Sequence, residues 1–303
     1  MRPMRKARAP RGFTLVEMVL VIVIASVLAA MISSFVTLPI RGAVDVARRA
    51  ELTDLADNAL RRMDRDLRRA LPNSVRVTTV GASTFIEFLE VRAGGRYRSE
   101  PSGAATTAAS CSDAAGGGGD GDGLANEDVL EFGVADRCFR TLGIVADLAT
   151  IVPNSDWLVV YNLGPGYASA DAYASGDATG GNKARITSVD VGSGGEQRIG
   201  FETHTFQSLS PGARFQVVSG AVTYECNPVD GVIRRYAGYG VTASQSTTFT
   251  VVPAVLASNV STCGMTYTSG ATERSGLVRL EVTLSREGES IALDYEVMVG
   301  NVP

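Results

Sequence analysis

The sequence predicts an α+β protein in which one long N-terminal helix packs on an antiparallel β-sheet head. Residues 13–38 form an apolar run that is too long for a strand. Up to residue 72, apolar residues then recur every three or four positions, the period of an amphipathic helix. Beyond residue 72, short runs with strand-like alternation are separated by turns, and the chain contains 33 glycines.

The first helix is predicted to span a membrane. At 1.5 Å per residue, residues 13–38 measure roughly 39 Å, more than the ~30 Å hydrocarbon core of a bilayer. A secretory signal peptide is disfavoured, because its apolar region is shorter and Gly12 precedes the run instead of following it. Basic residues before the run keep residues 1–12 in the cytoplasm by the positive-inside rule. These residues are Arg2, Arg5, Lys6, Arg8 and Arg11.

Glu17 is the one residue in this run that an ordinary membrane anchor does not explain. An unpaired carboxylate inside the span costs several kcal/mol, so its presence predicts a cationic partner. The residues around it, Arg-Gly-Phe-Thr-Leu-Val-Glu-Met at 11–18, resemble the leader of type IV pilins and type II secretion pseudopilins.

This resemblance implies processing and assembly. A prepilin peptidase would cut after Gly12 and methylate the new N-terminus at Phe13, and Glu17 would pair with the N-terminal ammonium of a neighbouring subunit. It also implies other major and minor pilins and the pilus assembly platform as partners. The chain would begin as a single-pass inner-membrane protein with a periplasmic head and then join a pilus at the cell surface.

The second helical segment is expected to begin after an interruption at Pro39 and Gly42 and to end at Pro72 and Asn73. Its apolar positions are Leu52, Leu55, Ala59, Met63, Leu67 and Leu71. Its charged face offers the pairs Asp45/Arg49, Asp57/Arg61, Arg62/Asp66 and Asp64/Arg68. Either these charges are solvated, or the arginines form a partner-binding face. The arginines are Arg48, Arg49, Arg61, Arg62, Arg65, Arg68 and Arg69.

The head is predicted to be rich in strands, with Trp157 in its core. Strands are expected at 75–80, 85–91, 156–162, 198–206, 214–218, 222–226 and 232–236, with a hairpin at 277–285 and 291–299. Long surface loops are expected at 99–124 and 164–181. The chain therefore divides into a leader (1–12), an assembly helix (13–40), an amphipathic helix that we call the stem (41–72) and a β-rich head (73–303).

Segments throughout the stem and head resemble the minor pilins of MSHA-type (mannose-sensitive haemagglutinin) pili. They lie at 50–54, 71–76, 86–89, 94–98, 160–164, 171–173, 210–215 and 301–303. The resemblance implies a low-abundance subunit that helps to start or tip pilus assembly and supports adhesion. A minor pseudopilin of type II secretion is the alternative, since it shares the leader and the stem, and the head segments favour the pilus protein.

The four cysteines lie on the exported side, where disulfides persist. Three pairings are possible, and we expect Cys111–Cys138 and Cys226–Cys263 because each closes a loop of moderate length. A cysteine metal site is disfavoured, because no two cysteines have Cys-x-x-Cys spacing.

Composition excludes several functions. Residues 77–303 contain 14 basic and 25 acidic residues, so nucleic-acid binding is not expected. The single histidine, His204, cannot supply a zinc site built on several imidazoles, and no nucleophile elbow or phosphate-binding glycine motif is present. We therefore expect no enzymatic activity, and we interpret His204 either as a surface histidine or as a strand histidine with its hydrogen bonds satisfied.

A calcium loop is the only cofactor site that the sequence offers, and it is a weak candidate. Leu124 occupies the third ligand position of an EF-hand pattern, so that pattern fails. The residues that could still bind calcium are Asp120, Asp122, Asn126 and Asp128.

Overall fold

The computed structural model describes residues 12–100, 129–174, 181–191, 197–270 and 274–303, without side chains at 34, 36–41 and 191. It confirms the predicted α+β class with a long N-terminal helix. Its elements are α1 (Leu15–Leu67), β1 (Arg76–Val80), β2 (Ser83–Arg96), β3 (Asp136–Arg140), a 3₁₀ helix (Leu148–Thr150), β4 (Trp157–Val159), β5 (Lys183–Val191), β6 (Gln197–His204), β7 (Arg214–Asn227), β8 (Val232–Tyr239), β9 (Ala254–Ser258), β10 (Val260–Thr268), β11 (Ser275–Arg286) and β12 (Glu289–Gly300).

The helix α1 is continuous, so the predicted interruption at Pro39 and Gly42 is wrong. Proline removes one backbone donor and glycine costs about 1 kcal/mol, but nucleating a second helix is also costly. Propagation from both sides therefore keeps these residues helical.

The end of α1 also differs from the prediction, since the helix stops at Leu67 instead of Leu71. The chain turns there and joins the edge of β2. The Leu71 N–H donates to the Leu89 carbonyl at 2.8 Å, and the Val91 N–H donates to the Arg69 carbonyl at 2.9 Å. These strand bonds replace the last helical turn.

The chain divides into two compact units, Met1–Glu51 and Leu52–Pro303. In the first unit the described side chains of the helix are mostly exposed, among them Leu20 and Ile24 at 59% and 51%. In the second unit the part of α1 that begins at Leu52 contributes its predicted apolar face to the core.

The larger sheet has nine strands in the order β1-β2-β7-β4-β5-β6-β3, with β8 joining β7 to β9. The long strand β7 pairs with β2 on one edge, and with both β4 and β8 on the other. We expected two strands where β7 runs as one. Gly220, between the two predicted strands, lies at φ +142° beside a bulge, and the strand continues through it.

A second, three-stranded sheet has the order β10-β11-β12. The predicted C-terminal hairpin is confirmed as β11 and β12, paired from Arg286 and Glu289 to Ser275 and Gly300. Its apolar side packs on the α1 segment and on β7 and β8, in a core that includes Leu60, Tyr224, Ile233, Leu280 and Val297.

Two further expectations about the head hold only in part or are wrong. Trp157 is only partly buried and its ring contacts two cations, with the Arg185 guanidinium 3.9 Å and the Lys183 ammonium 5.2 Å from the ring centre. The described part of the predicted surface loop at 164–181 is a loop with residues 165–168 exposed, but Tyr173 is fully buried and donates to the Ser74 carbonyl at 2.9 Å. Most of the other predicted loop, 99–124, lies outside the described residues.

Candidate functional site at the N-terminus

The α1 helix begins with a reciprocal pair of hydrogen bonds between Thr14 and Glu17. The Glu17 N–H donates to Thr14 Oγ1 at 3.3 Å, while Glu17 Oε2 accepts from the Thr14 N–H at 3.1 Å and from the Thr14 hydroxyl at 3.0 Å. This is a capping box, which satisfies backbone donors that the first helical turn would leave unpaired. It folds the carboxylate back towards the N-terminal end of the helix.

The capping box leaves the Glu17 carboxylate able to bind a cation as well. All the hydrogen bonds to this side chain use Oε2, and within the described residues Oε1 accepts none. A carboxylate has about four acceptor positions, and the positive end of the helix dipole favours an anion here by about 0.3–1 kcal/mol. The site can thus hold both the cap and an ammonium group.

Glu17 also lines a shallow apolar recess on the surface of the helix. The recess has a volume of about 230 Å³ and is formed by Phe13, Glu17, Met18 and Val21. These positions share one helical face. Phe13, which would become the first residue after cleavage, is 82% exposed.

The described helix includes one stretch that is long and apolar enough to cross a membrane, Leu15–Ser33. None of its side chains is buried by the rest of the protein. An exposed apolar surface of this length needs an apolar environment, which a bilayer or a bundle of similar helices provides. The predicted membrane segment therefore coincides with the helix that carries Glu17.

Thr14 is the residue at this site that the sequence interpretation missed. The signal was present, because Ser or Thr followed three residues later by Glu is the pattern of a capping box.

The charged face of the predicted stem is only partly solvated. The expected ion pairs Arg61–Asp57, Arg68–Asp64 and Arg62–Asp66 are present at 2.5, 2.9 and 3.2 Å, and Asp45 pairs with Arg48 at 3.4 Å. A binding role for the arginine face stays a prediction.

Asp66 differs from the other stem acids, because it is buried against the sheet. Its Oδ2 accepts from the Tyr224 hydroxyl at 2.6 Å and from Arg235 Nε at 2.8 Å. This cluster joins α1 to β7 and β8. Burial acts to raise the pKa of Asp66, but the hydrogen bonds from Tyr224 and Arg235 and the arginine charges outweigh it and hold that pKa below its ordinary value.

The predicted disulfide between Cys226 and Cys263 is present, with the two Cα atoms 6.4 Å apart. It links β7 of the larger sheet to β10 of the smaller one. Cys138 is buried in β3, but Cys111 lies outside the described residues, so the other predicted pair stays a prediction.

Replacing Cys226 and Cys263 together by alanine is expected to lower the free energy of unfolding by about 3 kcal/mol, because the disulfide restricts the unfolded chain. Denaturant titration followed by the fluorescence of Trp157 measures this. Thr266→Ser, at an exposed position of the same strand β10, is the control and is expected to change stability by less than about 0.5 kcal/mol. An unchanged midpoint for the double variant would contradict a stabilising role.

The structure describes one of the remaining candidate sites, His204, and leaves out the calcium candidates. His204 is buried, with Nε2 2.8 Å from the Gly181 carbonyl oxygen and its ring 4.6 Å from that of Phe206, which confirms a satisfied strand histidine. The weak calcium candidates lie outside the described residues; they are Asp120, Asp122, Asn126 and Asp128. Within the described ranges, no cluster of three or more His, Cys, Asp or Glu side chains could hold a metal ion.

Comparison with known proteins bears on the N-terminal segment. Residues 7–33 match the family model described as the prokaryotic N-terminal methylation motif. No curated protein and no solved structure matches the chain. The matched residues include Gly12, Phe13, Thr14 and Glu17, together with the membrane-length helix. The motif implies processing by prepilin peptidase and assembly with other pilins, and it indicates a precursor of the type IV pilin-like or pseudopilin class.

Proposed function

We propose that this chain is a minor pilin of an MSHA-type pilus, similar to the biogenesis protein MshO, and that it supports pilus assembly and adhesion. The observation that carries the proposal is the position of Glu17, in the first turn of an exposed apolar helix and within the matched N-terminal methylation motif. The head segments that resemble MSHA-type minor pilins favour the pilus over type II secretion.

The proposed assembly step is an electrostatic pairing between subunits. Cleavage after Gly12 removes the five basic residues of the leader and creates one ammonium at Phe13. In an apolar helix bundle, charges attract far more strongly than in water, so this ammonium pairs with the Glu17 carboxylate of an adjacent subunit. One pair per subunit fixes the axial stagger of the helices.

In this proposal the chain is stored in the inner membrane with its head in the periplasm. It is then extracted by the pilus assembly platform and incorporated beside major and minor pilins. The head acts as a structural and binding module without catalysis or cofactor, consistent with the hydrogen-bonded position of its single histidine. Nucleic acid is not among the proposed partners.

Processing is tested by Gly12→Leu, which is expected to leave the precursor uncleaved. Among the described residues beyond its chain neighbour, none lies within 4 Å of a Cβ placed at Gly12, so the effect of a side chain there is expected in the peptidase site. Gly42→Leu is the matched control, because a Cβ at Gly42 is equally uncrowded. Immunoblots of membranes distinguish precursor from mature chain. Normal cleavage of Gly12→Leu would contradict the assignment of this site.

Function is tested by deleting the gene and counting surface pili. The deletion is expected to reduce pilus number, and the full chain should restore it, whereas a head lacking residues 13–40 should not. Loss of protein secretion with normal piliation would favour the pseudopilin instead. Restoration of pili by the head without its helix would contradict assembly through Glu17.

A further inference from the structure

The last strand, β12, presents an open edge. Within the described residues it pairs only with β11. The hairpin turn makes Arg286 and Glu289 a hydrogen-bonded pair, so every second residue of β12 directs its N–H and C=O away from β11. Just beyond β12, the Asn301 N–H donates to the Arg274 carbonyl at 2.9 Å, so the odd-numbered positions still bond towards β11. The residues with outward backbone groups are Ser290, Ala292, Asp294, Glu296 and Met298.

The core-facing side chains of β12 hold the strand in place. The alternate residues Ile291, Leu293 and Tyr295 pack against the core that contains α1, and Val297 is fully buried. The Tyr295 hydroxyl also donates to Asp57 Oδ1 on α1 at 2.8 Å. A strand fixed in this way is already extended, so a partner strand would not have to order it.

The open edge is acidic. Arg279 contacts Asp294 at 2.6 Å and Glu281 at 2.9 Å, and it lies directly opposite Glu296 in the β11–β12 register. One guanidinium thus compensates three carboxylates only in part, which leaves a net negative charge beside the outward backbone groups. Two copies of β12 placed edge to edge would bring Asp294 and Glu296 close to their own duplicates, and like charges in such positions are destabilising.

We propose that the open edge of β12 binds an extended basic segment of another polypeptide by strand addition. Backbone hydrogen bonds to the outward N–H and C=O groups supply the affinity. Lysine or arginine at alternate positions of the added strand lies beside Asp294 and Glu296 and supplies the selectivity. The same carboxylates prevent self-pairing of the edge. This surface uses none of the residues of the N-terminal site, so it is testable independently of assembly.

The test uses the full chain in detergent and two synthetic peptides, Thr-Lys-Val-Lys-Val-Lys-Thr and its glutamate-for-lysine counterpart. At about ten times the dissociation constant, the lysine peptide is expected to slow amide hydrogen exchange at Ala292, Asp294 and Glu296 by about tenfold. The amides of Leu293 and Tyr295, already bonded to β11, should change little. The glutamate peptide should not bind.

Variants separate strand addition from simple charge attraction. Ala292→Pro removes one outward N–H and no bond to β11, so it should abolish protection, whereas Ala292→Ser keeps the N–H and should bind like the native chain. Trp157 fluorescence verifies that both remain folded. The double change of Asp294→Asn and Glu296→Gln should weaken binding by about tenfold. The proposal is overturned if the outward amides are not protected, if Ala292→Pro still binds, or if the glutamate peptide binds equally well.

Discussion

Replacing Glu17 by glutamine is expected to leave membrane insertion intact and to reduce incorporation into filaments by about a hundredfold or more. Glutamine retains an oxygen that can accept from the Thr14 N–H, so the capping box persists while the charge is lost. The ammonium of a neighbouring subunit then has no carboxylate partner. Breaking a buried ion pair in this way costs about 3–5 kcal/mol, and each 1.4 kcal/mol is about tenfold in affinity.

The matched control for this experiment is Thr14→Val. It removes the hydroxyl that caps the helix but keeps the Glu17 charge, at a cost to the helix of about 1 kcal/mol. Incorporation is measured as the ratio of chain in sheared surface filaments to chain in membranes. If Thr14→Val abolished incorporation and Glu17→Gln did not, Glu17 would act through capping, and the proposed pairing between subunits would be wrong.

The second large effect is expected at Asp66. Asp66→Ala should lower the free energy of unfolding by about 3 kcal/mol, because Tyr224 and Arg235 lose their shared acceptor at a site that is only 6% exposed. Tyr224→Phe removes one hydrogen bond and leaves the ion pair, so it should cost about 1–2 kcal/mol. Denaturant titration of the full chain in detergent, followed by Trp157 fluorescence, measures both.

The same carboxylate predicts a dependence of stability on pH. The folded-state pKa of Asp66 lies below its ordinary value of 3.8, so its contribution is complete above about pH 4 and is lost as the pH falls through the lowered pKa. The native chain should therefore lose more unfolding free energy on acidification than Asp66→Asn, whose side chain does not titrate. Equal losses in both proteins would contradict a lowered pKa.

Local patterns were sufficient to predict much of the fold. The apolar period predicted the buried face of α1, and alternation on both sides of residues 286–289 predicted the β11–β12 hairpin, because each depends on residues close in sequence. The disulfide between Cys226 and Cys263 was predicted from loop length, and the structure contains it.

Features that depend on distant residues were not predictable in this way. The partners of Asp66 on β7 and β8 are 158 and 169 residues away in sequence, so its burial could not be recognised from an i,i+4 pattern. Trp157 was predicted in the core because it lies in an apolar strand, but only the sheet register places Arg185 beside it. At the N-terminus the motif predicted Gly12, Phe13 and Glu17, since a short sequence signal defines that site.

The most direct test of this account is the mass of the N-terminal peptide of the protein purified from piliated cells that possess prepilin peptidase. The account predicts a chain that begins at Phe13 and carries one methyl group on its amino nitrogen. A chain that still begins at Met1 in those cells would contradict it, because no new ammonium would then be available to Glu17.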